Sequence, residues 1–157
     1  MSKLENRPLI VDLDGTLVAT DTLVESILLY TKKNPLRSYK ILLWIFKGVA
    51  HLKDKLSLVV LPDARILPYN KNVLSYIKST KNRDVHLITG ANQRIANSVG
   101  ENLKMFTSVI GSTDKSNIKG KTKLNTIRNV VGNRGFDYIG NSWSDLHIWE
   151  KAKSAVV

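Results

Sequence analysis

The stretch Leu9-Ile10-Val11-Asp12-Leu13-Asp14-Gly15-Thr16 decides the fold. Its apolar start predicts a short buried strand over 9–13, and Asp14-Gly15-Thr16 predicts the loop that ends this strand. Two carboxylates two residues apart at a strand end repel each other, and fold stability gives no reason for that placement. A bound cation does give a reason, because hard divalent ions prefer oxygen ligands.

Strand and helix patterns alternate along the chain after residue 68. Strands are predicted at 85–89, 108–111, 136–139 and from 154 onward, with helices near 93–103 and 123–131. This alternation predicts an α/β fold, a three-layer Rossmann-like arrangement of a parallel sheet with helices on both faces. Sites in such sheets lie beyond the carboxyl ends of the strands. The polar residues expected there are Asp12, Asp14, Thr89, Asn141 and Asp145.

The segment between the first two strands has helical patterns of its own. Thr22 with Glu25 three residues later is a capping-box signature, which predicts a helix start. Residues 36–53 predict one helix that is apolar nearly all the way round, with a narrow polar strip containing Lys40 and Lys47. Such helices are usually buried, and a buried core is the favoured interpretation. The alternative is an exposed, lysine-edged surface that docks on a membrane or binds a lipid chain.

Composition narrows the function classes. The chain has 157 residues, no cysteine and a formal net charge of +11, so disulfides and thiolate metal sites are excluded. The charge is compatible with polyanions, anionic lipid headgroups or a phosphorylated substrate. Nucleic acid is not expected as a partner, because no helix-turn-helix, zinc-finger or aromatic RNA-binding pattern accompanies the charge. The first residues lack the apolar run of a secretory signal, so a cytoplasmic location is expected.

The Asp-x-Asp-Gly-Thr stretch resembles the first motif of the haloacid dehalogenase superfamily, and three further motifs follow in order. Thr89 matches the second motif, and Lys121 matches the third, with Lys119 and Lys123 as nearby alternatives. Gly140-Asn141-Ser142-Trp143-Ser144-Asp145 matches the fourth. The resemblance spans nearly the whole chain. It implies a core formed by residues 1–16 and 68–157, with a small helical cap inserted at 17–67.

The resemblance also implies a magnesium-dependent phosphohydrolase. Asp12 would attack phosphorus and form an aspartyl-phosphate, and Asp14 would act as general acid and base. Thr89 would hydrogen-bond the phosphoryl group, and Lys121 would neutralise charge on it. The Mg²⁺ ion would be held by the Asp12 side chain, the Asp14 carbonyl and position 141, with Asp145 in support.

One position departs from the superfamily pattern. Position 141 is Asn, where the superfamily usually has Asp. An amide oxygen can still coordinate Mg²⁺, but one negative charge is missing, so weaker metal binding is expected and activity is in doubt. The alternative function is therefore a catalytically weak or inactive regulatory or binding domain.

Several shorter stretches are similar to the hydrolase-like domain fused to UbiA-type membrane prenyltransferases. They are Asn34-Pro35-Leu36, Leu67-Pro68-Tyr69-Asn70, Ala91-Asn92-Gln93-Arg94, Asn117-Ile118-Lys119-Gly120 and Gly135-Phe136-Asp137-Tyr138-Ile139-Gly140. This likeness implies a small phosphorylated substrate, such as a sugar or an isoprenoid-linked metabolite. It also implies a fused membrane domain or a position at the inner face of the membrane.

Overall fold

The computed structural model describes residues 7–80 and 82–156. Its strands are β1 (Leu9–Val11), β2 (Val85–Asn92), β3 (Ser108–Ser112), β4 (Asp137–Ile139) and β5 (Ser154–Val156). They form one parallel sheet in the order β3-β2-β1-β4-β5, which confirms the predicted α/β class. Residues 1–6, 81 and 157 of the predicted core lie outside the described residues, as does most of the stretch that lacks a secretory signal.

Seven helices connect these strands within the described residues. They are α1 (Thr22–Lys33), α2 (Tyr39–Phe46), α3 (Val49–Val59), α4 (Lys71–Ser79), α5 (Gln93–Leu103), α6 (Gly120–Val131) and α7 (Leu146–Trp149). The helix predicted near 93–103 is confirmed, and the one predicted at 123–131 begins three residues earlier than expected.

The central strand β1 separates two apolar clusters, as the alternation of side chains in a strand requires. Leu9 and Val11 pack on one face of the sheet with residues of α4 and α5, such as Ile77 and Val99. Ile10 packs on the other face with residues of α6 and α7. The sheet is therefore the middle of three layers, as predicted.

The helices inserted between β1 and β2 have a small apolar cluster of their own. Tyr30, Leu52, Leu56 and Val60 are buried in it, and side chains from α1 and α2 pack against them. The ends of the inserted segment, by contrast, pack with the sheet: Leu17 and Val18 at its start and Ala64 and Leu67 at its end belong to the main core cluster. The segment predicted as the cap, 17–67, therefore contains helices in its middle, whereas the residues at its two ends pack in the main core.

Two local predictions for this segment are corrected. The helix predicted over 36–53 is divided into a 3₁₀ turn at Pro35–Arg37, then α2 and α3. Gly48 separates α2 from α3 with φ of +103°, a backbone conformation that side chains disfavour. The cap of α1 is Asp21, whose carboxylate accepts hydrogen bonds from the amides of Leu23 and Val24, so Thr22 is the first helical residue.

The favoured interpretation of α2 as a buried helix is also wrong. Every side chain of Tyr39–Phe46 is at least partly exposed, because only one side of this short helix faces α1 and α3. Across residues 7–80 and 82–156, no helix combines the length and the apolar character needed to cross a bilayer.

Candidate active site

The carboxyl ends of β1, β2 and β4 meet at one cleft of about 490 Å³. The parallel register aligns Val11 of β1 with Leu87 of β2 and with Ile139 of β4, so the residues that follow these positions lie close together. The predicted site residues that line the cleft are Asp12, Asp14, Thr89, Asn141 and Asp145. The cleft is also lined by Lys53, Lys119 and Lys123.

Asp12 is fixed at the end of β1 by several hydrogen bonds. Its amide donates to the carbonyl of Ile139, 2.9 Å away, and its Oδ1 accepts from the amide of Leu13 at 2.8 Å. The side chain is only slightly exposed, and Lys123 Nζ lies 2.9 Å from Oδ1. This arrangement holds one carboxylate oxygen in place beside the ammonium group of Lys123.

The lysine of α6 that lines the cleft is Lys123, whereas Lys121 does not line it. Both residues lie on α6, but positions two apart point to nearly opposite sides of a helix. Lys123 is buried and lies between Asp12 and Asp145, with its Nζ 3.5 Å from Asp145 Oδ1. Lys121 is exposed and borders a separate surface hollow with Asn125 and Glu150. The prediction of Lys121 is corrected because α6 begins at Gly120, which sets the helical phase.

Asp145 lines the cleft with a side chain that is almost fully buried. The hydroxyl of Tyr138 donates to its Oδ2 at 2.8 Å, and Lys123 faces its other oxygen. Burial raises the pKa of Asp145, although Lys123 opposes this effect. Burial also raises the pKa of Tyr138, so its phenol stays protonated and acts as a donor. The sequence does not reveal the contact of Tyr138 with Asp145, because a tyrosine inside a strand is typical of a core residue.

Asp14 faces the cleft from the loop after β1. Gly15 follows it with φ of +70°, and a Cβ atom there would lie 2.7 Å from Asn141 Nδ2, so any side chain at this position would be strained and would displace Asn141. Asp14 Oδ1 accepts from the amide of Thr22, the first residue of α1, at 2.9 Å. Burial raises the pKa of the Asp14 carboxyl, and the hydrogen bond from Thr22 opposes this rise only in part. A raised pKa suits a group that must donate a proton.

Thr89 lies within β2 and is fully buried. Its Oγ1 accepts a hydrogen bond from the amide of Ala91 at 3.0 Å. This bond fixes the rotamer of the side chain, so the hydroxyl has a set position in the cleft wall.

The side chain of Asn141 forms hydrogen bonds with the loop that follows β1. Its Nδ2 donates to the carbonyl of Gly15 at 2.7 Å, and its Oδ1 accepts from Thr16 Oγ1 at 3.3 Å. A carboxylate could not make the first of these bonds, because it has no proton to donate. The Asn side chain therefore has a structural role here that Asp would not reproduce.

The oxygen donors at the cleft fit a magnesium ion. Within the described residues, no three His, Asp or Glu side chains converge as a dedicated metal cage. Mg²⁺ does not need such a cage, because it keeps several waters and is usually held by one or two carboxylates together with substrate phosphate. The Asp12 carboxylate and the Asn141 amide oxygen border the same cleft as Asp14 and supply that kind of donor set.

Lys53 is a second site residue that the sequence did not reveal. It comes from α3 of the inserted segment, and its Nζ donates to the carbonyl of Gly90 at 2.6 Å. The side chain lines the cleft although it is largely buried, and burial lowers its pKa. Only tertiary structure could reveal it, since 36 residues separate Lys53 from Gly90 and no local motif marks it.

Arg94 links the insertion to the core. Arg94 lies in the first turn of α5, and its guanidinium donates to Asp54 Oδ1 at 3.2 Å and to Ser57 Oγ at 3.1 Å, both on α3. These contacts position α3, and with it Lys53, over the carboxyl end of β2.

Comparisons with known proteins give one related sequence and many related folds. No protein-family model matches the chain. The uncharacterized protein y4nM of Sinorhizobium fredii (strain NBRC 101917 / NGR234) is 35% identical over 152 residues. That match covers 96% of this chain but spans only 29% of the length of the relative.

Solved structures share the fold at low sequence identity. One is the HAD family hydrolase t0658 from Salmonella enterica subsp. enterica serovar Typhi (TM-score 0.64, 13% identity, 94% of this chain and 60% of that one). The fold is haloacid dehalogenase-like. This haloacid dehalogenase-like architecture recurs in a predicted phosphoglycolate phosphatase from Haemophilus somnus 129pt (TM-score 0.65, 15% identity, 99% and 85% covered). It recurs again in a phospho-aspartyl intermediate analogue of phosphoserine phosphatase (TM-score 0.60, 18% identity, 96% and 85% covered).

Proposed function

We propose that this domain hydrolyses phosphate monoesters through an aspartyl-phosphate formed on Asp12. The observation that carries the proposal is the pairing of the Asp12 carboxylate with Lys123 Nζ at 2.9 Å, at the end of the central strand and inside a cleft. The fold is shared with phosphatases, and the name of one solved neighbour states a phospho-aspartyl intermediate analogue.

Each cleft residue has a role in this reaction. An Asp12 oxygen attacks phosphorus, forming an O–P bond as the ester O–P bond breaks. Asp14 protonates the leaving oxygen, and then takes a proton from the water that cleaves the acyl-phosphate. Lys123 and Thr89 stabilise charge on the nucleophile and the phosphoryl oxygens. A bound Mg²⁺, held by Asp12, the Asp14 carbonyl and Asn141, with Asp145 in support, would neutralise phosphoryl charge.

Lys53 and Lys119 favour an anionic substrate. Both line the cleft, Lys53 from the inserted segment and Lys119 from the start of α6. Placing two ammonium groups near one another costs electrostatic energy, and Lys119 contributes to the lowered pKa of Lys53. A phosphate group at the mouth of the cleft relieves that repulsion. The inserted helices would then act as the cap that selects the substrate, with the boundaries predicted at 17–67.

The finer parts of the proposal rest on sequence resemblance. A phosphorylated sugar or isoprenoid-linked metabolite is the proposed substrate class, and the cytoplasm, at or near the inner face of the membrane, is the proposed location. Association with a prenyltransferase-type membrane domain is likewise a proposal.

The alternative function, an inactive regulatory or binding domain, is favoured by one observation. The Asn141 side chain donates to Gly15 and accepts from Thr16. Thr16 and a metal ion would therefore compete for the Asn141 amide oxygen.

The test is turnover of an aryl phosphate with and without Mg²⁺, for the unaltered chain, Asp12→Asn and Asn141→Asp. We expect magnesium-dependent turnover that Asp12→Asn reduces by about 10⁴-fold or more, as for other catalytic nucleophiles. Turnover that survives Asp12→Asn would exclude this mechanism. If only Asn141→Asp is active, the catalytic groups are in place and metal binding is the defect. If a panel of phosphorylated sugars and lipid phosphates also gives no turnover with any variant, the binding-domain alternative replaces the proposal.

A further inference from the structure

The helix α2 presents an apolar surface to solvent. Phe46 is 87% exposed, Leu42 is 62% exposed and Leu43 is 55% exposed. Together with the neighbouring Leu36, Tyr39 and Ile45, these residues form what we call the α2 surface. Soluble proteins seldom expose so many large apolar side chains on one short segment unless another surface covers them.

The α2 surface is held in a fixed orientation by the opposite side of the helix. Ile41 and Trp44 pack against the buried cluster that contains Tyr30 and Leu52. The rings of Trp44 and Tyr30 meet edge to face with their centroids 5.3 Å apart. The exposed side of α2 is therefore part of the folded arrangement of the insertion, since rotating it inward would remove these contacts.

The segment that contains the α2 surface carries only basic charged residues. Residues 26–53 contain six lysines and arginines and no aspartate or glutamate. Four of the six are exposed: Lys32, Lys33, Arg37 and Lys47. Basic side chains that border an exposed apolar helix face are typical of a helix that lies in the interface of an anionic bilayer.

The charge also argues against a second copy of the chain as the covering partner. A symmetric dimer would bring the same surface of both copies together, so each basic border would face its twin. Like charges in such positions disfavour association, and the chain as a whole carries a net charge of +11.

We propose that the α2 surface docks on an anionic lipid bilayer, with its apolar side chains inserted at the headgroup level. The inference concerns binding and does not depend on the proposed catalytic function. Docking would place the cleft near the lipid, because Val49 follows α2 after Gly48, is exposed, and lines the cleft.

The test is co-sedimentation of the full chain with phosphatidylcholine vesicles, prepared with and without phosphatidylserine. We expect binding to the anionic vesicles that weakens with added salt, since screening reduces attraction at the surface. The double variant Leu43→Ser with Phe46→Ser should bind at least tenfold more weakly, because it removes two inserted side chains. Its control is Ile66→Ser, an exposed apolar residue outside the α2 surface, which should bind normally.

A second pair of variants tests the charge. Arg37→Glu with Lys47→Glu should weaken binding by about tenfold or more. Lys71→Glu with Lys78→Glu makes the same change in net charge on exposed residues of α4 and should have a much smaller effect. Asp12→Asn should bind as the unaltered chain does. The proposal is overturned if the chain ignores anionic vesicles, if both charge variants lose binding equally, or if the chain is a dimer that Leu43→Ser with Phe46→Ser dissociates.

Discussion

The sheet buries its apolar residues, whereas the inserted helices leave many of theirs exposed. Leu9, Ile10 and Val11 of β1 are fully buried between two layers of helices, whereas the apolar side chains of α2 face solvent on one side. A run of apolar residues therefore indicates burial only where a partner layer is present. The sheet has partners on both faces, whereas the insertion has one partner, the carboxyl end of β2, which it contacts through α3.

The largest expected effect separates the two lysines of α6. Lys123→Met should reduce phosphate ester turnover by about 10²–10³-fold, as removal of one transition-state donor does. Lys121→Met should leave turnover unchanged, because that side chain lies outside the cleft. Steady-state kinetics of both variants, with circular dichroism as a folding check, gives the comparison. Equal losses would show that the charge of α6 matters and not the position of Lys123.

The second prediction compares how substitutions in the two regions change the free energy of unfolding. Leu87→Ala, in the middle of β2, should destabilise the chain by about 3 kcal/mol, because it opens a cavity in a buried layer. Leu43→Ala, on the α2 surface, should change stability by less than about 0.5 kcal/mol. Urea unfolding in the absence of lipid measures both. A large loss for Leu43→Ala would mean that α2 is covered in solution.

Sequence could predict the sheet better than the insertion for a physical reason. The apolar residues of β1, β2 and β4 are followed directly by polar residues that line the cleft, so the strands and the cleft residues could be predicted together. The strand ends were less accurate: β1 ends two residues earlier than predicted and β2 three residues later. In the insertion, the apolar pattern of 36–53 is nearly uniform and does not reveal which side is buried. Lys53 was missed because its contact with Gly90 is distant in sequence, and Tyr138 was missed because a tyrosine inside a strand is typical of a core residue.

The third prediction concerns Gly48, the residue that connects α2 and α3. Gly48→Ala should cost about 1–2 kcal/mol, because φ of +103° is strained for any side chain, although a Cβ atom there meets no other atom within 4 Å. Gly132→Ala, at the end of α6, is the matched change in the sheet layers. Thermal unfolding of both, followed by vesicle binding of Gly48→Ala, separates a general loss of stability from a misplaced α2 surface.

The smallest effect is a gain in stability from Asp14→Asn. Burial raises the folded-state pKa of Asp14, so the folded chain binds more protons than the unfolded chain just above the usual range of an aspartate. Stability therefore falls as the pH rises through that window and stays lower above it. Asp14→Asn should raise the free energy of unfolding at pH 7 by about 0.5–1 kcal/mol while it abolishes turnover.

This gain should vanish in acid, where Asp14 is protonated in both states. Urea titrations of metal-free protein at acidic and neutral pH check the sign, and the exposed Asp114→Asn serves as the control. A stability gain that persists unchanged into acid would show that the Asp14 charge is not its source.

The asparagine at position 141 affects how strongly the folding of the chain depends on a bound metal ion. Among the described residues, four aspartates and three lysines line the cleft, so internal counterions nearly balance its charge. An aspartate at 141 would add a fifth carboxylate to a cleft that is lined by three lysines, and a divalent cation would offset that charge. With Asn141, the folded chain has little need of such a cation. Chelators should therefore leave its melting temperature almost unchanged, and the proposed magnesium ion would bind to a protein that is already folded.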